Sequence, residues 1–332
     1  MTTHPNKLTQ SMTHALPAAS AAKLAPWDAP AFSPAEVRDL LLEMQIKLHL
    51  HGYGWLTAWQ IGECIAADYR DPLQAARRTL RSLDESGEAL VRGLPNGSRA
   101  YVLTASGAKS IRHLVSSPRS GKDILDGGRS LSSWKHRWIS NQWCILNASQ
   151  GHRVWPEYAI QSYRSPLPHT DIELGPKEYR RVMRRPARGW RGKQADGLVI
   201  YRGLDTHRPT PLRWTEVEHS RRRPSDMQKL AQFIVSATVD PVINHGHLEI
   251  TAIDLVFANT LTLLTPILVA VGRELDALEK GAHPSDVDKI RRTLGRLVTV
   301  SVLPVSQAPR IDGDIETLRV PLAALRRAPL EI

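Results

Sequence analysis

The sequence contains very little cysteine. Cys64 and Cys144 are the only two among 332 residues, and neither has a second cysteine near it. A zinc ribbon and a disulfide framework both need clustered or paired cysteines, so this spacing excludes them. Two isolated thiols fit a reducing compartment, and we therefore expect a cytoplasmic protein.

The sequence also lacks a clean apolar run of the length that spans a bilayer. The best candidate, Ala252–Gly272, holds a single charged residue but also one asparagine, three threonines and a proline. These interruptions indicate a buried strand followed by a buried helix, with no membrane span. Residues 1–30 have neither the basic start nor the apolar segment of a secretory signal, so we expect a flexible tail over residues 1–32.

Acidic residues are scarce relative to basic ones. The chain has 44 lysines and arginines against 33 aspartates and glutamates, a formal charge of +11 and a pI near 9.9. Such an excess favours polyanionic partners, and nucleic acid before a membrane surface because no basic amphipathic helix is evident. The length is sufficient for two domains, each with its own core.

The segment at residues 33–116 has the element order of a winged helix-turn-helix. A capping box with proline at the first helical position, Ser33-Pro34-Ala35-Glu36, predicts the start of a first helix. Its apolar stripe consists of Val37, Leu40, Leu41, Met44 and Leu48. A second short helix is predicted near Thr57, and Asp71-Pro72 caps a third that runs to about Glu85. Two short strands around a Pro-Asn-Gly turn follow and predict a hairpin.

The predicted third helix has one apolar and one basic face. A basic helix followed at once by a hairpin is typical of DNA-binding winged helices, in which the helix enters the major groove and the hairpin touches phosphate or the minor groove. The residues predicted to contact DNA from this unit are Gln74, Arg77, Arg78 and Arg81 on the helix and Arg92 and Arg99 on the hairpin. The alternative is a protein-interaction module whose arginines form a solvated face.

A second, larger domain is predicted after a linker. Residues 117–133 are rich in serine, glycine and charge, which is typical of a linker, and residues 306–332 are assigned to a C-terminal extension. Between them, at residues 134–305, the pattern predicts a helix at 134–149, strands at 152–163, 194–201 and 212–219, a helix at 225–237, a strand at 248–257, a helix at 285–297 and a strand at 298–305. This order predicts a mixed α/β fold.

Three carboxylates of the second domain are predicted to converge. Glu216 and Glu218 are two residues apart on one predicted strand and share a face, and Asp196 lies at the mouth of a neighbouring strand. Buried carboxylates repel one another unless a divalent cation neutralises them. Mg²⁺, for which Mn²⁺ can substitute, takes one or two carboxylates plus water and phosphate oxygens, and it can activate a water for phosphodiester hydrolysis. Arg221 and Arg222 would hold the DNA backbone beside this site.

The alternative for these acids is purely structural. Asp196 would then be a turn residue, and the two glutamates would pair with Arg213, Arg221 or Arg222. Both interpretations remain open at the level of the sequence.

The second domain resembles a known family of phosphodiesterases. The order helix, strand with Glu157, strand with Asp196, strand with Glu216 and Glu218, then helix resembles the PD-(D/E)xK fold, which is restriction-endonuclease-like. With the preceding winged helix and His136, over roughly residues 33–236, the chain is similar to the replication-relaxation proteins of plasmids and integrative conjugative elements. The motifs that carry this similarity are Trp155-Pro156-Glu157, Gln194-Ala195-Asp196 and Trp214-Thr215-Glu216-Val217-Glu218.

The resemblance implies a metal site and a catalytic set. Asp196 and Glu216 would bind Mg²⁺ and Glu157 would assist from the preceding strand. Glu218, from the predicted carboxylate cluster, and Lys229 are the further predicted catalytic residues. The chain departs from the family at two positions, since Glu218 stands where a lysine is usual and an alanine replaces the proline before Asp196.

Lys229, on the helix that follows, is therefore expected to supply the missing cation. Lys193 is a weaker candidate for the same role. Without such a cation the domain would bind DNA without cutting it.

The sequence as a whole predicts a DNA-binding protein of a plasmid or mobile element that carries a metal-dependent DNA endonuclease domain. A non-catalytic DNA-binding regulator or mobilisation accessory factor with a degenerate nuclease fold is the first alternative, and a protein-interaction scaffold is the second. DNA is the expected partner, and a homodimer is left open.

Overall fold

The computed structural model is a mixed α/β protein, as the sequence predicts. It describes residues 37–65, 68–115, 134–162, 166–167, 193–204, 207, 209–220, 222–243, 248–259, 261–280, 283–304 and 316–319. The predicted tail, the capping box at 33–36, the predicted linker and Arg221 lie outside the described residues.

The N-terminal unit consists of short helices around a three-stranded antiparallel sheet. Its elements are α1 (Leu42–Tyr53), β1 (Trp55–Thr57), α2 (Ala58–Ile65), α3 (Pro72–Glu85), β2 (Ala89–Gly93), β3 (Arg99–Leu103) and α4 (Ala105–Ser110). The strand order is β1-β3-β2. The predicted third helix and the predicted hairpin are confirmed as α3 and β2–β3, whereas the three-residue strand β1 was not predicted.

Capping residues fix both ends of α3. The Asp71 carboxylate accepts a hydrogen bond from the Gln74 amide at 3.0 Å, and Pro72 takes the first helical position, where an N–H has no partner within the helix. Gly87 follows the last turn with φ of 72°, the left-handed conformation that ends many helices. One face of α3 packs into the core through Ala75, Ala76, Leu80 and Leu83.

The structure interrupts the predicted first helix between Val37, which is helical, and Leu42. Leu41 is extended (φ −57°, ψ 142°), and α1 starts only at Leu42. The Gln45 side-chain amide donates to the carbonyl oxygens of Leu40 at 2.8 Å and Arg38 at 3.2 Å, which stabilises the preceding turn in its non-helical form. Leu41 is consequently 79% exposed and does not join the predicted apolar stripe.

The C-terminal unit is built on a mixed sheet of seven strands. Its elements are α5 (Trp134–Ser149), β4 (Arg153–Pro156), α6 (Glu157–Gln161), β5 (Gly197–Ile200), β6 (Thr210–Glu218), α7 (Pro224–Val239), β7 (Val242–Ile243), β8 (Leu248–Ala258), α8 (Leu264–Glu279), α9 (Pro284–Leu297), β9 (Val298–Leu303) and β10 (Glu316–Arg319). The strand order is β10-β9-β8-β6-β5-β4, with β7 paired to β8. β4, β5 and β6 are antiparallel neighbours, whereas β6, β8 and β9 are parallel.

Three predictions about this unit need correction. The predicted strand at 152–163 ends at Pro156, and Glu157 opens the helix α6, whose consecutive buried residues pack near α1. The helix predicted to be buried after β8 is amphipathic, because α8 buries only Ile267, Val271 and Leu275. The C-terminal extension contributes β10, which pairs antiparallel with β9. Within the described residues, no helix combines the length and the apolarity needed to cross a bilayer.

Helices cover both faces of the large sheet. On one face, α7, α8 and α9 pack against the apolar side chains of the central strands. On the other face, α5 and the N-terminal unit share two continuous clusters with the sheet. Hydrogen bonds also join the units: the Gln60 side chain donates to the Trp138 carbonyl at 3.1 Å, and the Asn141 side chain donates to the Trp55 carbonyl at 2.8 Å. The N-terminal unit is therefore packed firmly on the helix that leads into the acidic site.

Candidate functional site

The outer face of α3 carries the helical residues that the sequence predicts to contact DNA. Gln74, Arg77, Arg78 and Arg81 are all exposed. They lie on the side opposite the buried alanines and leucines, as the spacing of the helix requires.

An open groove of about 630 Å³ runs between α3 and the β2–β3 hairpin. Arg77 and Arg81 line it from the helix and Arg99 from the hairpin, with Asp84 as an acidic neighbour. Arg99 is exposed and Arg92 is half-buried on the hairpin. The groove is therefore lined by more positive than negative side chains.

Asp196 lies at the start of β5, between α5 and β6. Its Oδ1 is 3.0 Å from Nε2 of His136, and its Oδ2 accepts a hydrogen bond from the Val217 amide at 2.8 Å. The Ser140 hydroxyl donates to the backbone carbonyl of Asp196. A side chain from α5 and a backbone group from β6 thus fix this carboxylate.

Glu157 is held at the first turn of α6. Its Oε2 lies 3.0 Å from Nε of Arg137, and its Oε1 accepts a hydrogen bond from the side-chain amide of Gln161 at 2.6 Å. Arg137 also donates to Gln161 at 3.0 Å, so these three side chains form a closed network.

Glu216 is completely buried on β6. Lys193 lies 2.6 Å from its Oε2, and Arg222 lies 3.1 Å from the same oxygen. The Trp214 indole N–H donates to its Oε1 at 2.7 Å. Every oxygen of this carboxylate is therefore occupied by the protein itself.

Glu218 is almost as buried and points to the same side of β6 as Glu216. Arg222 donates from Nε to both of its oxygens, at 2.7 and 2.9 Å. The pairing with Arg222 that the structural alternative proposed is therefore present for both glutamates, while Arg213 pairs instead with Asp254 on β8. The three carboxylates predicted to form one open cluster are therefore separated. Glu216 and Glu218 are paired with Arg222 and Lys193, and Asp196 is paired with His136.

The metal-capable cluster differs from the one the sequence predicts. Ligand atoms of His136, Glu157 and Asp196 all lie within 4.8 Å of one another. Glu216 and Glu218, expected beside Asp196, do not belong to this group. The sequence assigns no role to His136 beyond its place in the resemblance, because a histidine on a helix far upstream of the acids carries no local signal.

Lys229 is not brought to the site. Its side chain is 66% exposed, and its acidic partner is Asp226, one turn earlier on α7, at 3.9 Å. Lys193, the weaker candidate from the sequence, is the lysine that reaches the buried acids. In this arrangement Lys193 contacts Glu216 and Lys229 pairs with Asp226, so Lys193 is the better placed of the two lysines.

Burial disfavours charge on both partners of the His136–Asp196 pair, but their mutual attraction is larger. Burial lowers the pKa of His136, while Asp196, with smaller effects of Glu157 and Glu216, raises it to about 9. Burial acts to raise the pKa of Asp196, yet His136, Lys193 and the Val217 amide hold it well below its ordinary range. At neutral pH the pair is therefore an imidazolium and a carboxylate.

The pKa values of Glu216 and His219, which lie beside this pair, shift so that the neutral forms are favoured. Burial raises the pKa of Glu216 despite Lys193, and the negative charge of Asp196 raises it further. Burial, together with the charges of His136 and Lys135, lowers the pKa of His219 to about 4. The His219 ring lies 5.4 Å from that of His136 and is neutral at physiological pH.

The charged pair predicts a loss of stability at alkaline pH. The pKa of His136 rises from 6.5 to about 9 on folding, so its contribution is complete below pH 6.5 and is lost as the pH rises through 9. The contribution of His136 to the free energy of unfolding is at most about 3 kcal/mol. Urea midpoints measured from pH 6 to pH 10 should fall for the wild type and fall less for His136→Gln. His152→Gln, a half-buried histidine on the same unit, should keep the wild-type slope, and an unchanged slope in His136→Gln would contradict the assignment.

No protein-family model, curated protein or solved structure matches the chain. The similarity to replication-relaxation proteins therefore stays a prediction from the motifs.

Proposed function

We propose that the chain binds DNA through its N-terminal unit, which acts as a winged helix. α3 would enter the major groove, and the β2–β3 hairpin would contact the backbone or the minor groove. The large α/β unit would hold the N-terminal unit in a fixed position through its contacts with α5.

The observation that carries the proposal is the row of exposed arginines on the outer face of α3. Arg77 and Arg81 share one groove with Arg99 of the hairpin, so helix and hairpin face the same partner. Arginine is the residue that contacts both phosphate oxygens and guanine edges most effectively, because its guanidinium presents several donors in a fixed plane. The excess of basic residues over the whole chain adds a long-range attraction for a polyanion.

The salt dependence of binding tests this proposal. A labelled duplex titrated with the full chain should bind at low salt, and log K should fall linearly with log salt between about 50 and 200 mM as counterions are released. A chain that does not bind duplex or branched DNA at low salt, or one whose binding is independent of salt, would overturn it.

Metal-dependent phosphodiester hydrolysis is a second candidate function. The observation that favours it is that α5, α6, β5 and β6 bring Glu157 and Asp196 together with His136 and place the Lys193–Glu216 pair on the neighbouring strand β6. A bound divalent ion would polarise a scissile phosphate and lower the pKa of an attacking water. Asp196 and Glu157 would hold such an ion, and Lys193, which contacts Glu216, would supply a lysine on the neighbouring strand.

The competing non-catalytic function is favoured by the pairing of the acids. Glu157, Asp196, Glu216 and Glu218 each contact a basic side chain, so the site is compensated without an ion. Cleavage assays with Mg²⁺ and with Mn²⁺ on the wild type and Asp196→Ala separate the two. Metal-dependent nicking that is lost in Asp196→Ala supports the enzyme, and equal inactivity of both proteins supports the regulator.

A further inference from the structure

The geometry points to a transition-metal site formed by His136, Glu157 and Asp196, in which an imidazole takes the place that the predicted all-oxygen Mg²⁺ site gives to Glu216. The inference rests on the second candidate function only in that both use the same region. It concerns binding of an ion by the protein alone, with or without DNA.

The three side chains come from three different elements and meet at one point. His136 lies on α5, Glu157 at the start of α6 and Asp196 at the entrance to β5, and one ligand atom of each lies within 4.8 Å of the others. Metal–nitrogen and metal–oxygen bonds are roughly 2.0–2.2 Å long, so two ligand atoms of one ion lie at most about 4.4 Å apart. Small side-chain movements therefore suffice for one ion to contact all three.

The two carboxylates are already oriented by neighbouring groups. The Val217 backbone N–H donates to one oxygen of Asp196 at 2.8 Å, and the Gln161 side-chain amide donates to one oxygen of Glu157 at 2.6 Å. Outer-shell hydrogen bonds of this kind fix the direction of ligand oxygens and are typical of metal sites. The orientation therefore needs no rearrangement of the backbone.

The donor set selects the class of ion. Mg²⁺ demands oxygen ligands in an octahedron, and the predicted third carboxylate, Glu216, is fully buried with both oxygens occupied by Lys193, Arg222 and Trp214. The third donor present is instead an imidazole nitrogen. One imidazole with two carboxylates suits first-row transition ions such as Mn²⁺ and Zn²⁺.

The site can be reached from solvent, whereas Glu216 cannot. The side chains of His136, Glu157 and Asp196 are 23%, 15% and 14% exposed, against 0% for Glu216. On binding, the ion takes the place of the imidazole proton that now lies between His136 and Asp196, and that proton passes to solvent. Arg137 contacts Oε2 of Glu157 at 3.0 Å and Gln161 at 3.0 Å.

Titration of the metal-free protein with Mn²⁺, followed by electron paramagnetic resonance, tests the inference on the wild type. We expect one bound Mn²⁺ with hyperfine coupling to an imidazole nitrogen. Calorimetric titration with Zn²⁺ and with Mg²⁺ should place Zn²⁺ tightest and Mg²⁺ at least about tenfold weaker than Mn²⁺, in line with the order of these ions at nitrogen-containing sites.

Two variants and one control complete the test. His136→Ala and Asp196→Asn should each weaken Mn²⁺ binding by more than about 100-fold, beyond what loss of an outer-shell group produces. His152→Ala, a histidine that packs on Tyr201 at 4.4 Å, should bind Mn²⁺ as the wild type does. Mn²⁺ bound without nitrogen coupling, equal affinity for Mg²⁺ and Mn²⁺, or no binding at millimolar Mn²⁺ would each overturn the inference. Duplex binding is measured separately on the same preparations. A protein that binds DNA but no Mn²⁺ is thereby distinguished from one that binds Mn²⁺ but no DNA.

Discussion

Arg222→Met is expected to lower the free energy of unfolding by about 3–5 kcal/mol, the usual effect of removing one partner from a buried ion pair. Arg222 contacts both oxygens of Glu218, which is 2% exposed, and one oxygen of Glu216, which is fully buried. Methionine fills a similar volume but leaves Glu218 without the cation that contacts it. Urea denaturation followed by tryptophan fluorescence measures the loss.

A neighbouring arginine supplies the matched control. Arg223 lies next to Arg222, just before α7, but its side chain is exposed. Arg223→Met should therefore change the free energy of unfolding by less than about 0.5 kcal/mol. The double variant Arg222→Met/Glu218→Gln should regain part of the loss, because it removes the stranded negative charge. The loss should also shrink as the pH is lowered, since burial raises the pKa of Glu216 and protonation removes its charge. An Arg222→Met protein as stable as the wild type would show that this ion pair does not form.

Local signals predicted the elements that carry their own boundaries. α3 is bounded by Asp71-Pro72 and Gly87, and the hairpin β2–β3 by a Pro-Asn-Gly turn, so their limits follow from capping and turn chemistry. Where a boundary depends on a distant contact, prediction failed. The switch from β4 to α6 occurs at Pro156, and proline is a local signal that a strand ends. The packing of α6 near α1, which lies far earlier in the chain, is the part that the local pattern of residues 152–163 does not indicate.

The same distinction explains what was predicted of the acidic site. The alternation of β6 correctly placed Glu216 and Glu218 on one side, and Asp196 does lie against that strand through the Val217 amide. Arg222, a local partner that the structural alternative named, contacts both glutamates, whereas His136 on α5 and Lys193 before β5 come from elsewhere in the chain. The choice between an open metal site and a compensated cluster therefore depends on tertiary contacts that residue spacing does not encode.

Replacing Arg77, Arg78 and Arg81 together with glutamine is expected to weaken duplex binding by about 100- to 1,000-fold at physiological salt, because each charge-assisted hydrogen bond contributes on the order of 1 kcal/mol or more. All three side chains are exposed on α3, so the substitutions remove charge without opening the core. Competition binding with a labelled duplex gives the affinity. The slope of log K against log salt should become shallower by about 0.9 for every phosphate that the variant no longer neutralises.

The control removes the same charge from the opposite side of the molecule. Arg273, Arg292 and Arg296 are exposed on α8 and α9, the helices that cover the other face of the large sheet. A triple replacement there lowers the net charge by an equal amount, so it measures how much of the effect is long-range attraction alone. We expect it to change affinity by less than about tenfold, because charges farther than a Debye length from the DNA are largely screened. If both triple variants bound equally well, α3 would be a solvated surface or a protein-binding face, and DNA recognition would have to be sought elsewhere on the chain.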